Sequence, residues 1–352
     1  MANDSMKDSA PITRSRATLS DVAELAGVSE STVSLVLAGK GELRRISSVT
    51  HQKVREAARS LSYTPNLLHR SIRSGRTRVI SLFNAFRNRE RGDLYMDRIS
   101  SAVEHAGGKF GYDILVHSNF QRSTKETFEF LNGGLSDGLV LFGPAANEPL
   151  IPLLQQSGLP TVLIGPRRED VELPTVHDDE DLGMRQIAQA LVACGHRHVA
   201  AVVEKAGPVL DPTGRGGRLQ RELIARGLEF EPRNIVAWSG SPSETINQVL
   251  SLPQRPTALF VWHDRNAYRI VEACEAIGIR IPEDLSIVGY DGIVWPSTTQ
   301  HIVTSIHVPV DEMADEAVGL LHRLITGESG QLSKCLPVRF VSGTTLRPPA
   351  AA

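Results

Sequence analysis

Residues Thr18–Gly39 read TLSDVAELAGVSESTVSLVLAG, and the spacing within them decides how the front of the chain folds. Thr18 and Asp21 have the Ser/Thr-x-x-Asp/Glu spacing of a capping box, which marks a helix start. Val22, Leu25 and Ala26 follow on one helical face. Gly27 supplies a sharp turn, and Ser29 is placed as the N-cap of a second short helix that turns Val33, Val36 and Leu37 inward at i, i+3, i+4 spacing. Two short helices joined by a glycine-containing turn form a helix-turn-helix. A third amphipathic helix is expected from about Ser48 to Leu61, where Val54, Ala57, Ala58 and Leu61 close a small core. The second helix then shows Glu30, Ser31, Ser34 and Leu35 on its opposite face. In a helix-turn-helix that face enters the major groove. Serine donates to or accepts from several bases, glutamate accepts from a cytosine amino group, and leucine packs on a thymine methyl. Thr32 and Ser34 carry short hydroxyls suited to phosphates, as are the first amides of the helix.

Outward from this stretch, Tyr63–Thr77 reads YTPNLLHRSIRSGRT. Pro65 and Asn66 open it, Leu67 to Arg73 give about two helical turns, and Gly75 stops them. So short a helix is marginal alone in water, so it is expected to order only against a twin or against DNA. Arg70, Arg73, Arg76 and Arg78 make the segment basic, and Leu68 and Ile72 share a face. An apolar side chain on a basic segment suits a wedge between base steps in a minor groove; the other reading of these residues is a plain linker. Charge follows the same division. Up to Arg78 there are 13 Lys and Arg against 7 Asp and Glu, a net of +6, and the remainder has 25 against 33, a net of −8. A basic head on a mildly acidic body is the layout of a nucleic-acid reader with a separate second function. A solvated basic tail and a protein-binding three-helix module stay open as alternatives.

A chain of 352 residues predicts two or three domains, and 41% apolar residues exclude wholesale disorder. No run approaches the roughly 18–20 apolar residues that span a bilayer. Met1 to Thr13 is polar without an apolar h-region, so secretion is not expected. Cys194, Cys274 and Cys335 are odd in number and far apart, which speaks against a disulfide framework or thiolate zinc site and fits a reducing cytoplasm. Cys194 reads as an inert buried thiol. No G-x-S-x-G, Walker A, HExxH or H-x-x-E-H run is present. The GRGG of residues 214–217 lacks G-x-G-x-x-G order. His177, His196 and His198 lack ligand spacing and read as solvent-facing. The acidic run Asp178–Asp181 lacks the glycine and twelfth-position glutamate of an EF-hand. Catalysis, a metal and a cofactor are therefore not expected.

From Arg78 the pattern changes to short apolar runs, RVISLFNA, YDILVHS, GLVLFG, PTVLIG, HVAAVVE, ALFVW and LSIVGYD, alternating with amphipathic stretches such as 96–106, 183–194 and 265–277. The alternation predicts an α/β body of doubly wound, largely parallel sheets, and its length predicts two lobes. Ligands in such folds sit beyond the carboxyl ends of strands. Asp93 and Tyr95 precede the first helix of the body. His263 and Asp264 end one strand, Asp291 ends another, Arg215 stands ahead of a helix, and Trp238 lies in VAWSG. Carboxylates and arginine make bidentate hydrogen bonds to vicinal hydroxyls, and an aromatic face is a platform for a sugar ring or base. Each also has a structural reading: a turn or helix cap for Asp291 and Asp264, core for Trp238, a surface ion pair for Arg215.

TLSDVAELAGVSESTVSLVLAG, followed by HQKVREAARSLSYTPNLLHRSIRSGRT, resembles the LacI/GalR family of bacterial transcription regulators, with landmarks recurring to the C-terminal part. The resemblance implies a helix-turn-helix reading a half-site, a hinge helix that inserts a side chain at Ile72 into the minor groove, and two lobes like those of periplasmic binding proteins, crossed three times by the chain. It places Ser31, Thr32 and Ser34 in the recognition helix. It matches Arg215 and Asp291 to effector contacts, with Gly227 in register twelve residues after the arginine, and Asp179 and Gly183 to a crossover segment. The chain departs from the family at Leu35 (commonly arginine), Glu180 and His263 (commonly asparagine) and Arg218 (commonly glycine), has isoleucine for leucine at Ile72, and has a longer Gly39–Ser47 loop. The expected organisation is a disordered tail 1–17, a helix-turn-helix 18–64, a hinge 65–77, and a body 78–347 with lobe 1 at about 78–177 and 307–336 and lobe 2 at about 178–306 and 337–347. The residues assigned to DNA are Thr18, Glu30, Ser31, Thr32, Ser34, Leu35, Arg44, Arg45, Tyr63, Asn66, His69, Arg70, Ile72 and Arg73. Those assigned to the effector are Asp93, Tyr95, Arg215, Trp238, His263, Asp264 and Asp291. The expected protein is a homodimeric, cytoplasmic, nucleoid-associated repressor that binds double-stranded operator DNA and a small effector, a sugar first and a purine or other metabolite as the alternative. A solute receptor and an α/β enzyme are the rival classes.

Overall fold

The computed structural model describes residues 17–39, 45–64, 71, 75–86, 92–144, 147–167, 170–204, 211–328 and 333–350. Arg44, Asn66, His69, Arg70, Ile72 and Arg73, and with them most of the expected hinge and tail, lie outside the described residues. The chain divides into two compact units, Met1–Thr77 and Arg78–Ala352.

In the first unit, α1 (Leu19–Ala26) starts on a complete capping box: Thr18 Oγ1 accepts from the Asp21 amide at 3.2 Å and the Asp21 carboxylate accepts from the Thr18 amide at 2.7 Å. Gly27 ends it in the left-handed region, at φ 66°. Ser29 caps α2 (Glu30–Leu37) and Ser47 caps α3 (Ser48–Ser60). The core is Val22, Ala23, Ala26, Val33, Val36, Val54, Ala57 and Ala58, with Leu37, Leu61 and Tyr63 packed at its edge. Each valine so buried contributes roughly 1.5–3 kcal/mol. Leu25 corrects the sequence reading: it is 57% exposed, because the buried face of α1 is centred on Val22, Ala23 and Ala26 and Leu25 falls outside it.

The second unit holds two parallel sheets. The first, ordered β2-β1-β3-β4-β5-β11, comprises β1 (Val79–Asn84), β2 (Asp113–Val116), β3 (Gly138–Phe142), β4 (Thr161–Ile164), β5 (Thr175–Asp178) and β11 (Ser333–Leu336). The second, ordered β7-β6-β8-β9, comprises β6 (Val199–Val203), β7 (Ile235–Ala237), β8 (Ala258–Val261) and β9 (Ser286–Val288). β3 and β8 are buried at every residue, as central strands covered on both faces must be, while the edge strand β2 is only half-buried. Helices α4 (Leu94–Lys109), α5 (Thr124–Leu131), α6 (Leu150–Gln155) and α11 (Val310–Thr326) accompany the first sheet. Helices α7 (Glu180–Ala193), α8 (Arg215–Ile224), α9 (Pro242–Leu250) and α10 (Asp264–Ala276) accompany the second. Antiparallel β10 (Ser305–His307) and β12 (Arg339–Val341) lie in the return segments. The chain thus passes between the sheets three times, after β5, after β10 and after β11. One buried cluster runs through both sheets, from Ile80 and Val140 through Met184 to Phe260 and Tyr290.

Residues 343–347 sew the second sheet together. Thr345 is fully buried, its hydroxyl donating to the Ile287 carbonyl at 2.6 Å and accepting from the Thr304 amide at 2.9 Å. His196 is buried between the Thr257 hydroxyl at 2.9 Å and the Arg347 carbonyl at 3.0 Å, not solvent-facing as the sequence reading had it. His177 lies half-buried in β5, and His198 is exposed. Cys194, the C-cap of α7, is only half-buried; the buried thiol is Cys274, pushed up to about 12 by burial. No group of metal-ligating side chains occurs among the described residues, and no helix there is long and apolar enough to cross a membrane.

Candidate functional site

On the first unit, α2 exposes Glu30 and Ser31, with Thr32, Ser34 and Leu35 half-buried beside them. The Ser29 hydroxyl organises this end: it accepts from the Thr32 amide at 3.3 Å and lies 2.8 Å and 2.9 Å from the Ser31 and Thr32 hydroxyls. The result is a polar helix start whose hydroxyls are tied together, a chemistry suited to base edges and phosphates. Thr18 faces the start of α1 through its capping box, and Tyr63 leans on the head core. Arg45 is exposed, at φ 56°.

On the second unit, a cleft of about 770 Å³ opens where the exits of β1 and β3 (Ala85, Phe86, Phe142, Gly143) and of β6 and β8 (Val203, Glu204, Trp262, His263) come together. In each sheet these neighbouring strands are the point where strand order reverses, which is where open α/β sheets leave a crevice. Five of the assigned effector residues line it: Asp93, Tyr95, Arg215, His263 and Asp291.

Arg215 opens α8 and is gripped from several sides. Its Nε donates to Glu180 Oε1 at 2.8 Å, its Nη1 donates to the Trp262 carbonyl at 2.6 Å and lies 3.6 Å from Asp291 Oδ1, and its guanidinium stacks 3.7 Å above the Tyr290 ring. Burial works against its charge, but Glu180 and Asp291 more than compensate and raise its pKa, so it stays a fixed cation. The helix can start so near the preceding loop because residue 217 is glycine: a Cβ there would run into the backbone of Asp211 and Pro212. Asp291 is buried at φ 112°, a conformation unfavourable for any L-residue, and burial raises its pKa against the pull of Arg215. Tyr290 donates to Asp178 Oδ2 at 2.7 Å, and Gly183 lies against the Tyr290 ring. His263 caps α10 through Nδ1, which accepts from the Asn266 amide at 3.2 Å; burial and then Arg215 lower its pKa to about 4, so the ring is neutral at pH 7. Asp93 caps α4 and meets Arg265 at 3.4 Å, and Arg265 lies 5.5 Å from the Trp295 ring centroid. Tyr95 sits inside α4 rather than ahead of it.

Two assigned residues are not part of the lining. Asp264 is 1% exposed: its carboxylate accepts from the Ile293 amide and the Ser305 hydroxyl, both at 2.7 Å, so it braces the loop behind the cleft. Trp238 packs edge-on against Trp262, 5.7 Å between centroids, and lies half-buried against the core of the second sheet. Conversely, Phe86, Phe142, Asp178, Glu180, Arg265 and Trp295 line the cleft without having been assigned to it. Their position at strand exits was a usable signal for Phe86, Phe142 and Asp178; Trp295 lies in an irregular loop with no periodicity to mark it.

A three-helix head with a polar recognition face, and a body of two parallel sheets with a cleft at both switch points, define a DNA reader with a ligand-binding domain. Residues 18–66 match the bacterial regulatory proteins of the lacI family, and residues 188–346 match a periplasmic binding protein-like domain. The chain is 30% identical to the ribose operon repressor of Escherichia coli K12, over 88% of this chain and 93% of that one, and 30% identical to the transcriptional regulator CelR of Thermobifida fusca, over 95% and 97%. It is 28% identical to the repressor PurR of Aliivibrio fischeri, over 87% and 90%. Among solved structures it resembles a CelR–cellobiose complex, at 26% identity, with a TM-score of 0.67 over 94% of this chain and all of that one. The lac repressor dimer bound to operator and the anti-inducer ONPF shares the fold, at 21% identity and a TM-score of 0.77 over 94% and 99%. The chain belongs to the lacI family of bacterial regulatory proteins, and is a DNA-binding transcription regulator with an effector-binding domain.

Proposed function

We propose that this regulator is a homodimeric, cytoplasmic, nucleoid-associated repressor without enzymatic activity, and that its effector is a sugar bound in the cleft of the second unit. The observation that carries the reading is Arg215, a fixed cation set between Glu180 and Asp291 at the meeting of both sheets' switch points. A hydroxyl-bearing ring can accept from the guanidinium and donate to the carboxylates, with Trp262 or Phe86 as its apolar platform. Relatives named for ribose and in complex with cellobiose support this class; a purine is the second reading, since the same aromatic walls suit a base. In the proposed DNA complex, Glu30, Ser31, Ser34 and Leu35 read base edges while Thr18, Thr32, Arg44, Arg45, Tyr63, Asn66, His69, Arg70 and Arg73 hold backbone, and Ile72 wedges the minor groove. A two-fold dimer matches a pseudo-palindromic operator. Effector then acts by differential affinity for two lobe arrangements, which need not agree equally with DNA binding.

The test is selection of bound duplex from a random pool, followed by gel-shift titration of the selected site with ribose, cellobiose, hypoxanthine and guanine. A palindromic consensus and a response to a sugar are expected. A response to the purines alone moves the assignment to the second reading, and no selected sequence at low salt defeats the proposal.

A further inference from the structure

Among the lining residues of the cleft, six carboxylates (Asp93, Asp178, Glu180, Glu204, Asp211 and Asp291) stand against two guanidiniums, Arg215 and Arg265. Both guanidiniums already face a carboxylate, Arg265 with Asp93 at 3.4 Å and Arg215 with Glu180 at 2.8 Å. Arg218, one turn along α8, adds no spare cation: it meets Asp181 at 2.5 Å and Glu180 Oε2 at 3.6 Å. The imidazole of His263 is neutral at pH 7. An acidic ligand group approaching Arg215 would therefore have to displace Glu180 while also lying near Asp178, among largely buried side chains where like charges are strongly unfavourable. A neutral hydroxyl meets no such conflict, because it donates to a carboxylate and accepts from the guanidinium at once.

We infer that Glu180 sets the charge selectivity of the cleft: its carboxylate occupies on Arg215 the place an acidic ligand would need, so the site takes an uncharged, hydroxyl-rich ligand and refuses sugar phosphates and sugar acids. The inference rests on the reading that Arg215 faces the effector. Glu180 opens α7 and reaches Arg215 across the start of α8, so this counter-charge is held by two helix ends and is present before any ligand arrives.

The test is calorimetric titration of the full chain and of Glu180→Gln with inorganic phosphate and with ribose 5-phosphate at constant ionic strength. Glu180→Gln is expected to bind both anions at least about tenfold more tightly than the wild type. The gain should vanish in Glu180→Gln/Arg215→Ala, which separates the cleft from phosphate contacts on the basic head. Glu180→Asn serves the same purpose if the glutamine variant does not fold. Equal anion affinity in wild type and neutral variant, tight binding of either anion by the wild type that Arg215→Ala removes, or a gain that survives loss of Arg215 each overturns the inference. Failure of neutral sugars to alter DNA binding would defeat the effector assignment without touching this gain, so the two can fail separately.

Discussion

Asp291 combines a strained backbone, a buried carboxylate and a partner, Arg215, that also serves the cleft. Its backbone amide donates to the Ile306 carbonyl at 2.9 Å, so the strain is locked in by the return segment rather than by the side chain. Asp291→Ala should therefore fold, bind the operator as the wild type does and lose its response to effector; a gel-shift series with effector checks this, and a retained response would misplace the pocket. His263 gives a pH signature. Its folded pKa of about 4 lies below the value near 6.5 of an unfolded histidine, so the unfolded chain takes up a proton first as pH falls. The stabilisation is complete above pH 6.5 and is lost between 6.5 and about 4. His263→Asn should flatten that slope, worth about 3 kcal/mol, in urea unfolding of the body followed at several pH values. His117 and His196 are lowered in the same direction by burial, so the difference between variant and wild type, not the slope itself, is the readout.

At the scale of elements, the N-cap of α2 links stability to recognition, because Ser29 both closes the helix start and orients Ser31 and Thr32. Ser29→Ala should cost about 1 kcal/mol in the unfolding of the head and weaken operator binding, measured by denaturant titration and gel shift. Elements with strong local signals were legible in the sequence: the capped helices of the head, and β1, β3, β4, β6 and β8, whose apolar runs are long enough to stand out from their flanks. β5, β7, β10, β11 and β12 were not, since TVHD, IVA, SIH, SKCL and RFV hold three or four residues each and are strands only because a neighbour pairs with them. The same limit applies to the cleft. Arg215 and Asp291 stand at element ends where chemistry is visible in a linear reading. Arg265 and Trp295 come to the cleft from distant segments, and only the tertiary meeting of the sheets reveals them. Asp264 misled for a related reason: a charged residue at a strand exit reads as a ligand group, yet its two hydrogen bonds turn it toward the loop behind.

For the whole molecule, the basic front portion predicts binding that depends steeply on salt. Each phosphate neutralised releases counterions, so two heads on one duplex should give a slope of log affinity against log salt steeper than about −4. Arg70→Ala/Arg73→Ala should lower affinity and make that slope shallower; unchanged affinity would remove these arginines from the DNA contacts. The stitching of the second sheet by residues 343–347 has a further consequence, for the order in which the protein is made. The head is complete in sequence by Tyr63, whereas β9 and the Ile302–Thr304 segment wait for Thr345, which is synthesised after everything it holds. A nascent chain can thus own a finished DNA-reading module while its sensor is still open. A chain stopped after Val341 should consequently keep a folded head, seen as protected amides in hydrogen exchange, beside an unprotected second sheet.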